Sequence, residues 1–362
     1  MKKIGIDARL YSQTGVGTYL KNFLFYLDKN NSKKNTYYIY LTKNDYNKVN
    51  FKSKNVIKRI APYHWHSFTE QIFFLFQLYF DNLDLVHFTY FSYPVFYLKK
   101  FIATIHDVTP MKFKTGKSST KHPIIYFLKH FIFKIVFLFQ IINSAKIIVP
   151  AETVKDELIA IYGESIKDKI VVFYEGVDYQ IKITRENSKL KNKFKDFFIY
   201  VGNFYPHKNV KRLIKAFNQI KTNYKLILIG PRDFFSERIK IFLDQLNNKN
   251  IILIKNPAIQ DLVFFYKKAK AIIHPSLSEG FGLPLAEAAY FKKPIIASDI
   301  KIFRELWQNK FISFNSYDIN DIKNKIIDFI KKPKKFNYLK LLEKYSFLKM
   351  TEKTLDIYEK NL

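Results

Sequence analysis

Short apolar runs alternate with segments of helical periodicity along the whole chain, and this alternation constrains the fold more than any other feature. In the first half, six runs are predicted to be strands: 3–7, 37–41, 85–88, 101–105, 145–149 and 169–173. Apolar residues at helical spacing lie between them, over 17–27, 68–80, 123–142 and 153–162. Buried strands joined by helices are typical of a parallel sheet covered on both faces. The pattern therefore predicts a doubly wound α/β fold.

A charged, weakly periodic run interrupts the alternation at 178–196, after which the alternation begins again. The second set of strands is predicted at 197–202, 225–230, 251–254, 271–276 and 294–298, with helices starting near 210, 234, 261 and 285. A chain of 362 residues is long enough for two domains of about 150 residues each. The predicted organisation is an N-terminal Rossmann-like domain at 1–178, a linker at 179–195, a second such domain at 196–339, and a last helix at 340–362 that packs across both. In such pairs the ligand binds in the cleft, at the carboxyl ends of the strands.

The chain is strongly basic, with 61 Lys and Arg against 31 Asp and Glu and a net charge of +30. Lysine supplies 54 of the basic residues, and the excess is spread over both halves. Nucleic-acid-binding proteins concentrate their basic residues on one element, so no nucleic-acid partner is expected. Two interpretations remain, solvated surface lysines and docking to an anionic membrane surface. The absence of Cys excludes disulfides, thiolate metal sites and cysteine nucleophiles.

No export signal or membrane-spanning helix is predicted. Asp7 and Arg9 interrupt the first apolar run. The most apolar stretch, 124–142, contains Lys129 and Lys134, which a spanning helix disfavours. This stretch fits either a helix packed on its own sheet or a helix lying in the membrane interface. The predicted location is cytoplasmic, with peripheral attachment to the inner face of the membrane left open.

The segment HPSLSEGFGLPLAEAA, at 274–289, is the most specific motif of the sequence. A predicted strand ends there in a loop with Gly280 and Gly282, and a proline is placed to start the next helix. Glycines let backbone N–H groups approach a ligand closely, and a helix N-terminus favours an anion such as a diphosphate. Glu279 lies in the loop and Glu287 about one turn into the helix. They either face a ligand, or are an ordinary loop charge and a favourable acid near the start of a helix.

This segment resembles the E-x7-E signature of the family-four retaining glycosyltransferases, which have the GT-B fold. Seven residues separate Glu279 from Glu287, and the letters EGFGLP between them match the family closely. The resemblance implies that Glu279 lies against the donor sugar and that Glu287 hydrogen-bonds the nucleotide ribose. It also implies that the loop backbone contacts sugar and phosphate along Gly280, Phe281, Gly282 and Leu283.

Two N-terminal segments resemble motifs of the same family and occur in the family's order along the chain. TGVGTYL follows the first strand, and the resemblance implies that Gly15 and Gly17 hold the backbone close to the donor phosphates; a lone G-x-G is otherwise an ordinary turn. TIHDVTP resembles the family's His-Asp pair, which implies that His106 lies beside the donor sugar and the acceptor, with Asp107 able to orient it. The alternative for His106 is a histidine of the core.

VGNFYPHKNVKRLIKAF, at 201–217, resembles the segment that follows the first strand of the family's second domain. There Lys208 corresponds to the cation that meets the donor diphosphate and offsets charge on the leaving group; outside this context a lysine is usually a solvated charge. Relatives often carry Arg where this chain has Asn203 and His207, both next to the expected donor phosphates. His207 and Arg212 remain alternatives for a second positive charge.

Three further features complete the resemblance. VHFTYFSYP, at 86–94, resembles an acceptor-side stretch of mannosyltransferase-like members and suggests an aromatic wall. YEGVD carries Glu175 where the family usually has Asn, and we interpret Gly176 and Asp178 as a domain-boundary marker. No D-x-D or H-E-x-x-H spacing occurs, so no metal ligands and no metal cofactor are expected.

The resemblance implies a metal-independent retaining glycosyltransferase with Glu279, His106 and Lys208 in catalysis. The expected donor is GDP-mannose, with a UDP-sugar as the other candidate. The expected acceptor is a saccharide or a lipid-linked glycan in the synthesis of cell-surface polysaccharide or lipopolysaccharide. The alternatives are a sugar-nucleotide epimerase or a phosphorylase on the same fold, and a non-catalytic basic module that binds membrane or nucleic acid.

Overall fold

The computed structural model describes residues 1–31, 33–113 and 123–362. The chain divides into two compact units, which we call unit 1 and unit 2. Unit 1 comprises Met1–Glu175 together with Ser346–Leu362, and unit 2 comprises Gly176–Tyr345. Unit 2 therefore begins just before the predicted linker, and the segment predicted as a last helix is shared between the two units at residue 345.

Unit 1 is built on a parallel sheet of seven strands among the described residues. The strands are β1 (Lys2–Asp7), β2 (Asn35–Leu41), β3 (Val56–Ile60), β4 (Leu85–Phe88), β5 (Phe101–Thr104), β6 (Lys146–Val149) and β7 (Ile170–Val172). Their order in the sheet is β3-β2-β1-β4-β5-β6-β7. The six predicted strands are confirmed. The edge strand β3 was not predicted, because Lys58 and Arg59 give it no continuous apolar run.

Helices connect these strands: α1 (Val16–Asn30), α2 (Lys43–Tyr46), α3 (Leu75–Phe80), α4 (Thr109–Lys112), α5 (Pro123–Asn143) and α6 (Glu152–Tyr162). A 3₁₀ turn, Glu164–Lys169, follows α6. The helix predicted at 68–80 differs, because a π-helical turn, Glu70–Phe74, precedes α3. Such turns are rare and occur mostly as single turns within α-helices. Here Glu70 is fully buried and accepts hydrogen bonds from Arg9 and Ser92.

Unit 2 contains a parallel sheet of six strands over the residues described. They are β8 (Phe197–Val201), β9 (Lys225–Gly230), β10 (Ile251–Lys255), β11 (Ile272–His274), β12 (Ile295–Ser298) and β13 (Ile312–Phe314), in the order β10-β9-β8-β11-β12-β13. The short strand β13 was not predicted. The chain moves outward from β8 to β9 and β10 and then returns to the other side of β8 with β11. The carboxyl ends of β8 and β11 therefore form the switch point, where ligands bind in open α/β sheets.

The helices of unit 2 cover both faces of this sheet. They are α7 (Tyr179–Ile183), α8 (Val210–Asn218), α9 (Phe234–Leu246), α10 (Ile259–Lys268), α11 (Leu283–Tyr290), α12 (Lys301–Trp307), α13 (Ile319–Lys331) and α14 (Leu339–Leu342), with 3₁₀ turns at Ser188–Asn192 and Pro206–Lys208. One core cluster packs α8 and α13 on the apolar side chains of β8 and β9. The predicted linker packs on α10, since Asn187 Nδ2 donates to Asp261 Oδ1 at 2.7 Å and the Phe194 ring contacts Phe265.

The last helix, α15 (Phe347–Asn361), belongs to unit 1, where it packs against α1. Its buried Tyr358 hydroxyl hydrogen-bonds His87 Nδ1 of β4 at 2.6 Å. Asn35 Nδ2, at the start of β2, donates to Glu359 Oε1 at 2.6 Å. Among the residues that the structure describes, no helix has both the length and the apolar character needed to cross a membrane.

Candidate functional site

The switch point of unit 2 brings together two loops that the sequence analysis singled out separately. Residues 202–209 follow β8 and include the 3₁₀ turn that carries Lys208. Residues 275–282 connect β11 to α11 and carry Glu279. A backbone hydrogen bond joins the two loops, because the amide of Leu277 donates to the carbonyl of His207 at 2.8 Å. The parallel pairing of β8 with β11 thus places these residues side by side.

Glu279 is held between two cationic or hydrogen-bonding side chains. Lys208 Nζ donates to Glu279 Oε1 at 2.6 Å, and His274 Nε2, from the end of β11, lies 2.8 Å from the same oxygen. The Glu279 side chain is 8% exposed, and those of Lys208 and His274 are 15% and 1% exposed. We call these three residues the unit 2 cluster. The structure therefore brings together two of the predicted site residues and adds His274.

Electrostatics keep Glu279 ionised. Burial alone raises the pKa of a carboxyl, since it disfavours the charged form. The Lys208 ammonium and the hydrogen bond with His274 act in the opposite direction and outweigh burial, so the pKa of Glu279 lies well below its ordinary value. The lowered pKa favours the ionised form of Glu279 at neutral pH.

The loop after Glu279 enters α11 through a glycine that no other residue could replace without strain. Gly282 is the N-cap of α11 with φ of 84°, and a Cβ there would lie 3.0 Å from the Phe303 ring. Pro284 lies in the first turn, where its missing N–H costs nothing. Phe281 is buried and packs edge-on against Tyr345, which anchors the loop. The backbone N–H groups at the start of α11 thus have a fixed orientation.

Glu287 lies one turn into α11 and is buried. The Tyr266 hydroxyl, from α10, donates to Glu287 Oε2 at 2.5 Å. Burial raises the pKa of Glu287 to about 8, and the charge of Asp178 acts in the same direction, against the hydrogen bond from Tyr266. Their surroundings therefore shift the pKa values of Glu279 and Glu287 in opposite directions.

Several buried polar atoms at and after the ends of β8 and β11 have no hydrogen-bond partner among the described residues. They are Nδ1 of His274, Oγ of Ser276 and Oδ1 of Asn203. Buried polar atoms are nearly always hydrogen-bonded in folded proteins. Three such atoms in the loops at the ends of two adjacent strands indicate a place that a polar ligand or water completes.

The two alternatives for a second positive charge have other contacts. Arg212, on α8, donates to Asn209 Oδ1 at 2.9 Å, and its guanidinium lies over the Tyr317 ring. His207 is buried and its ring stacks on Tyr205. Lys208, by contrast, donates directly to Glu279.

In unit 1, the structure gives different reasons for a glycine at the two predicted positions. Gly15 is the N-cap of α1 with φ of 65°, and a Cβ there would meet open space. At Gly17 a Cβ would lie 2.6 Å from the carbonyl oxygen of Tyr11. The close approach that requires Gly17 is thus made by the protein's own backbone, whereas the space beside Gly15 is open.

His106, at the end of β5, has protein partners on both ring nitrogens. Its Nε2 donates to the carbonyl oxygen of Thr89 at 3.0 Å, and its Nδ1 lies 3.1 Å from Glu175 Oε1. The expectation that Asp107 orients this ring is wrong: the Asp107 carboxylate accepts from the amide of Thr109 at 2.7 Å and so caps the turn that follows. Sequence reasoning missed Glu175 in this role, and its departure from the family's Asn was the available signal.

A second buried cluster, also missed, lies in unit 1. Arg9 bonds Asp7 through two nitrogens, at 2.8 and 2.6 Å, and also donates to Glu70 Oε1 at 2.7 Å. Ser92 Oγ lies within 2.8 Å of both oxygens of Glu70. We call Asp7, Arg9 and Glu70 the unit 1 cluster. The signal for it was a pair of opposite charges directly after a buried strand.

Within the described residues, no group of three or more His, Asp or Glu side chains is placed to hold a metal ion.

The chain is similar to known glycosyltransferases in sequence and to solved structures in fold. Residues 182–344 match the family model described as glycosyl transferases group 1. The O-antigen chain mannosyltransferase RfbU of Salmonella typhimurium is 26% identical over 265 residues, which is 72% of this chain and 69% of that protein. The serotype-specific mannosyltransferase WbdA of Escherichia coli is 34% identical over 140 residues, 37% of this chain but only 17% of WbdA.

Solved structures match over the full chain. Sucrose-phosphate synthase from Thermosynechococcus elongatus superposes with a TM-score of 0.78 at 16% identity and 99% coverage of both chains. Anabaena HepE in complex with UDP and glucose gives a TM-score of 0.75 at 14% identity, covering 99% of this chain and all of that one. At such identities these likenesses concern the fold alone.

Proposed function

We propose that this chain, a glycosyltransferase with the GT-B fold, transfers a hexosyl unit from a nucleotide-diphosphate sugar to a saccharide or lipid-linked acceptor with retention of anomeric configuration. The observation that carries the proposal is the unit 2 cluster at the switch point, where Lys208 and His274 hold an ionised Glu279 beside unsatisfied polar atoms. Ligands of open α/β sheets bind at this point.

The difficult step is the separation of an anionic diphosphate from a sugar carbon that becomes positive. Positive groups aimed at the departing phosphate stabilise that charge. A lysine ammonium has three donor hydrogens, and one of those of Lys208 is used by Glu279. The remaining hydrogens can reach the diphosphate, and the N–H groups at the start of α11 offer a second set of donors.

The two glutamates are assigned the different tasks that the resemblance implies, and their opposite pKa shifts support this division. Glu279, with its lowered pKa, accepts hydrogen bonds from sugar hydroxyls and stabilises positive charge near the ring. Glu287, deeper in α11, accepts from the ribose hydroxyls and so anchors the nucleotide. His106 is proposed to lie beside the sugar and acceptor; since both of its nitrogens are engaged, its contact there is made by the ring edge or requires one bond to break.

The donor sugar is proposed from the relatives. RfbU and WbdA are named mannosyltransferases, and RfbU is named for the O-antigen chain. Mannose from GDP-mannose is therefore our first assignment, with a cytoplasmic enzyme of surface-polysaccharide synthesis as its setting. The HepE structure that holds UDP and glucose makes a UDP-sugar the alternative donor.

The decisive experiment is a calorimetric panel of GDP, UDP, ADP and their sugars, followed by transfer assays with the donor that binds. We expect GDP and GDP-mannose to bind, and NMR of the product to show the donor's own anomeric configuration. Inversion would overturn the mechanism. Absence of binding by every nucleotide sugar would overturn the function.

Two substitutions separate the proposed roles. Glu279→Ala is expected to lower kcat by about 100-fold or more while changing KM much less, because its interaction strengthens in the transition state. Glu287→Ala is expected to weaken donor binding by about tenfold or more with a smaller change in kcat. The same kinetics in both variants and the wild type would remove the site assignment.

Metal independence is part of the proposal. We expect transfer to continue at an unchanged rate in excess EDTA. A loss of activity that Mg²⁺ or Mn²⁺ restores would contradict it. Matched assays of the Glu279→Ala variant with each metal serve as the control for metal-dependent hydrolysis of the donor.

A further inference from the structure

Unit 1 exposes a large set of apolar side chains on two neighbouring elements and the loop beside them. The π-helical turn and α3 expose Ile72, Phe73, Phe76, Tyr79 and Phe80, with Phe68 just before them. The loop before β5 exposes Phe96 and Leu98, and α5 exposes Phe127, Leu128, Phe131, Ile132, Ile135, Leu138, Phe139 and Ile142. We call these side chains the apolar face. Single exposed apolar residues are ordinary, but a contiguous set marks an interaction site.

The three segments lie on the same side of the sheet. Phe74 and Leu78 pack into one core cluster with Val136 of α5, over β4 and β5. The loop at 90–93 connects both helices, since Gln140 of α5 donates to the carbonyl of Tyr90 and Gln71 donates to the carbonyl of Tyr93. The inner sides of α3 and α5 thus share one core, and their outer sides point away from the same sheet.

The loop with Phe96 and Leu98 is held against α3. The Tyr79 hydroxyl donates to the carbonyl of Phe96 at 3.3 Å and accepts from the amide of Leu98 at 3.0 Å. These two side chains therefore extend the surface that α3 begins. The side chains of Phe80 and Leu98 are 90% and 81% exposed, so they project into solvent instead of lining a groove.

The charges on these segments have one sign. Lys129 and Lys134 are exposed on α5, and Lys100 is exposed after Leu98. Residues 68–80, 96–100 and 127–143 contain a single carboxylate, Glu70, which is buried against Arg9. Apolar side chains interleaved with lysines and without exposed acids are the composition of a surface that enters the headgroup region of an anionic bilayer.

We propose that the apolar face docks on a lipid bilayer that carries anionic lipids, with the phenylalanines of α3 and α5 entering the acyl boundary and the lysines contacting headgroups. Charge complementarity selects this occupant over a second copy of the chain. A two-fold contact would bring together two faces that both carry exposed lysines, and these segments have no exposed acid to pair them. The proposal does not depend on the proposed function, because binding is measured without donor or acceptor.

The test is flotation with vesicles of phosphatidylcholine alone and of phosphatidylcholine with phosphatidylglycerol. The wild-type protein is expected to float with the anionic vesicles and to bind less as salt is raised. Phe76→Ser with Phe80→Ser, and separately Phe127→Ser with Phe131→Ser, are each expected to lower the partition coefficient about tenfold or more. Lys129→Gln with Lys134→Gln is expected to lower it about tenfold for the anionic vesicles only.

The matched control is Ile241→Ser with Leu339→Ser, which removes two side chains of 58% and 61% exposure from unit 2. This variant is expected to float like the wild type, and urea unfolding of every variant verifies that it is folded. Wild-type protein that stays at the bottom of the gradient overturns the proposal. Loss of flotation in the control as well does the same, and so does a wild-type dimer in sedimentation velocity that the phenylalanine substitutions dissociate without any vesicle binding.

Discussion

The two units each bury a cluster of opposite charges, and the clusters differ in how completely they are satisfied. In the unit 1 cluster, Arg9 is 1% exposed and its nitrogens donate to Asp7, Glu70 and the carbonyl of Tyr63. In the unit 2 cluster, Lys208 is partly exposed, and Nδ1 of His274 has no partner among the described residues. The first cluster is closed by protein groups, whereas the second leaves polar groups that a ligand can contact.

How completely the charges are satisfied distinguishes a structural ion pair from a binding site. A charged group inside a protein is tolerated when neighbouring groups satisfy it completely. The unit 1 cluster meets that condition, because each nitrogen of the Arg9 guanidinium and both carboxylates have protein partners. The unit 2 cluster lies at a switch point and keeps capacity for a ligand, so its charges are suited to a task beyond stability.

The largest loss of stability is expected when the unit 1 cluster is broken. Arg9→Leu leaves Asp7 and Glu70 buried without their cation, and we expect a loss of about 3–5 kcal/mol in the free energy of unfolding. Urea unfolding followed by circular dichroism measures it. Asp7→Asn with Glu70→Gln in the same Arg9→Leu background should restore part of the loss. A variant as stable as the wild type would mean that the cluster is not closed as described.

Lys208→Met tests the other member of the comparison, the unit 2 cluster. We expect a fall of about 100- to 1,000-fold in kcat, because a cation facing the leaving group is removed. The accompanying loss of stability should be smaller than for Arg9→Leu, since Lys208 is partly exposed and His274 still contacts Glu279. Lys211→Met, in the neighbouring turn of α8, is the matched control. If Lys208→Met lost more stability than Arg9→Leu, the unit 2 cluster, and not the unit 1 cluster, would be the structural ion pair.

Glu287 gives a pH-dependent test of intermediate size. Its pKa is raised to about 8 from an ordinary 4.5, so between these values the folded state binds a proton that the unfolded state has released. The stability from this group is full below pH 4.5 and is lost as pH rises through 8. The wild type should therefore lose up to about 4 kcal/mol relative to Glu287→Gln between about pH 5 and about pH 9. Parallel urea titrations of the two proteins measure this difference, and equal pH dependence would contradict it.

The smallest effect is expected at an exposed ion pair. Arg304 bonds Asp299 through two nitrogens, at 2.5 and 2.6 Å, but its side chain is largely solvated. Such pairs contribute little to stability because water competes and salt screens them. Arg304→Ala should shift the urea midpoint less than any variant above. A shift as large as that of Arg9→Leu would show that burial is not what separates these pairs.

The fold was largely predictable because burial on both faces gives parallel strands an unbroken apolar signature. The central strands were predicted nearly to the residue, whereas β3 was missed because Lys58 and Arg59 interrupt its apolar run and β13 was missed because it has only three residues. The π-helical turn was not predictable either, because it depends on Glu70 reaching Arg9, 61 residues away along the chain.

The residues of the candidate site were predictable where they belong to a continuous sequence motif. Glu279 and Glu287 stand in one motif, and Lys208 stands in a second. The pairing of Glu175 with His106, across 69 residues, and the contact of Lys208 with Glu279, across 71 residues, depend on strand ends meeting in space. The opposite pKa shifts of Glu279 and Glu287 also depend on tertiary neighbours, so no reading of the motif could assign them.

Unit 1 is discontinuous in sequence, since α15 joins it only after the whole of unit 2 has intervened. A ribosome therefore finishes unit 2 as one continuous stretch, while the sheet of unit 1 waits for the helix that covers α1 and bonds His87. During that interval the apolar groups that α15 later buries are uncovered, which is when a nascent chain is most open to misassembly. The order of synthesis thus makes the first-made half of this protein the last to be completed.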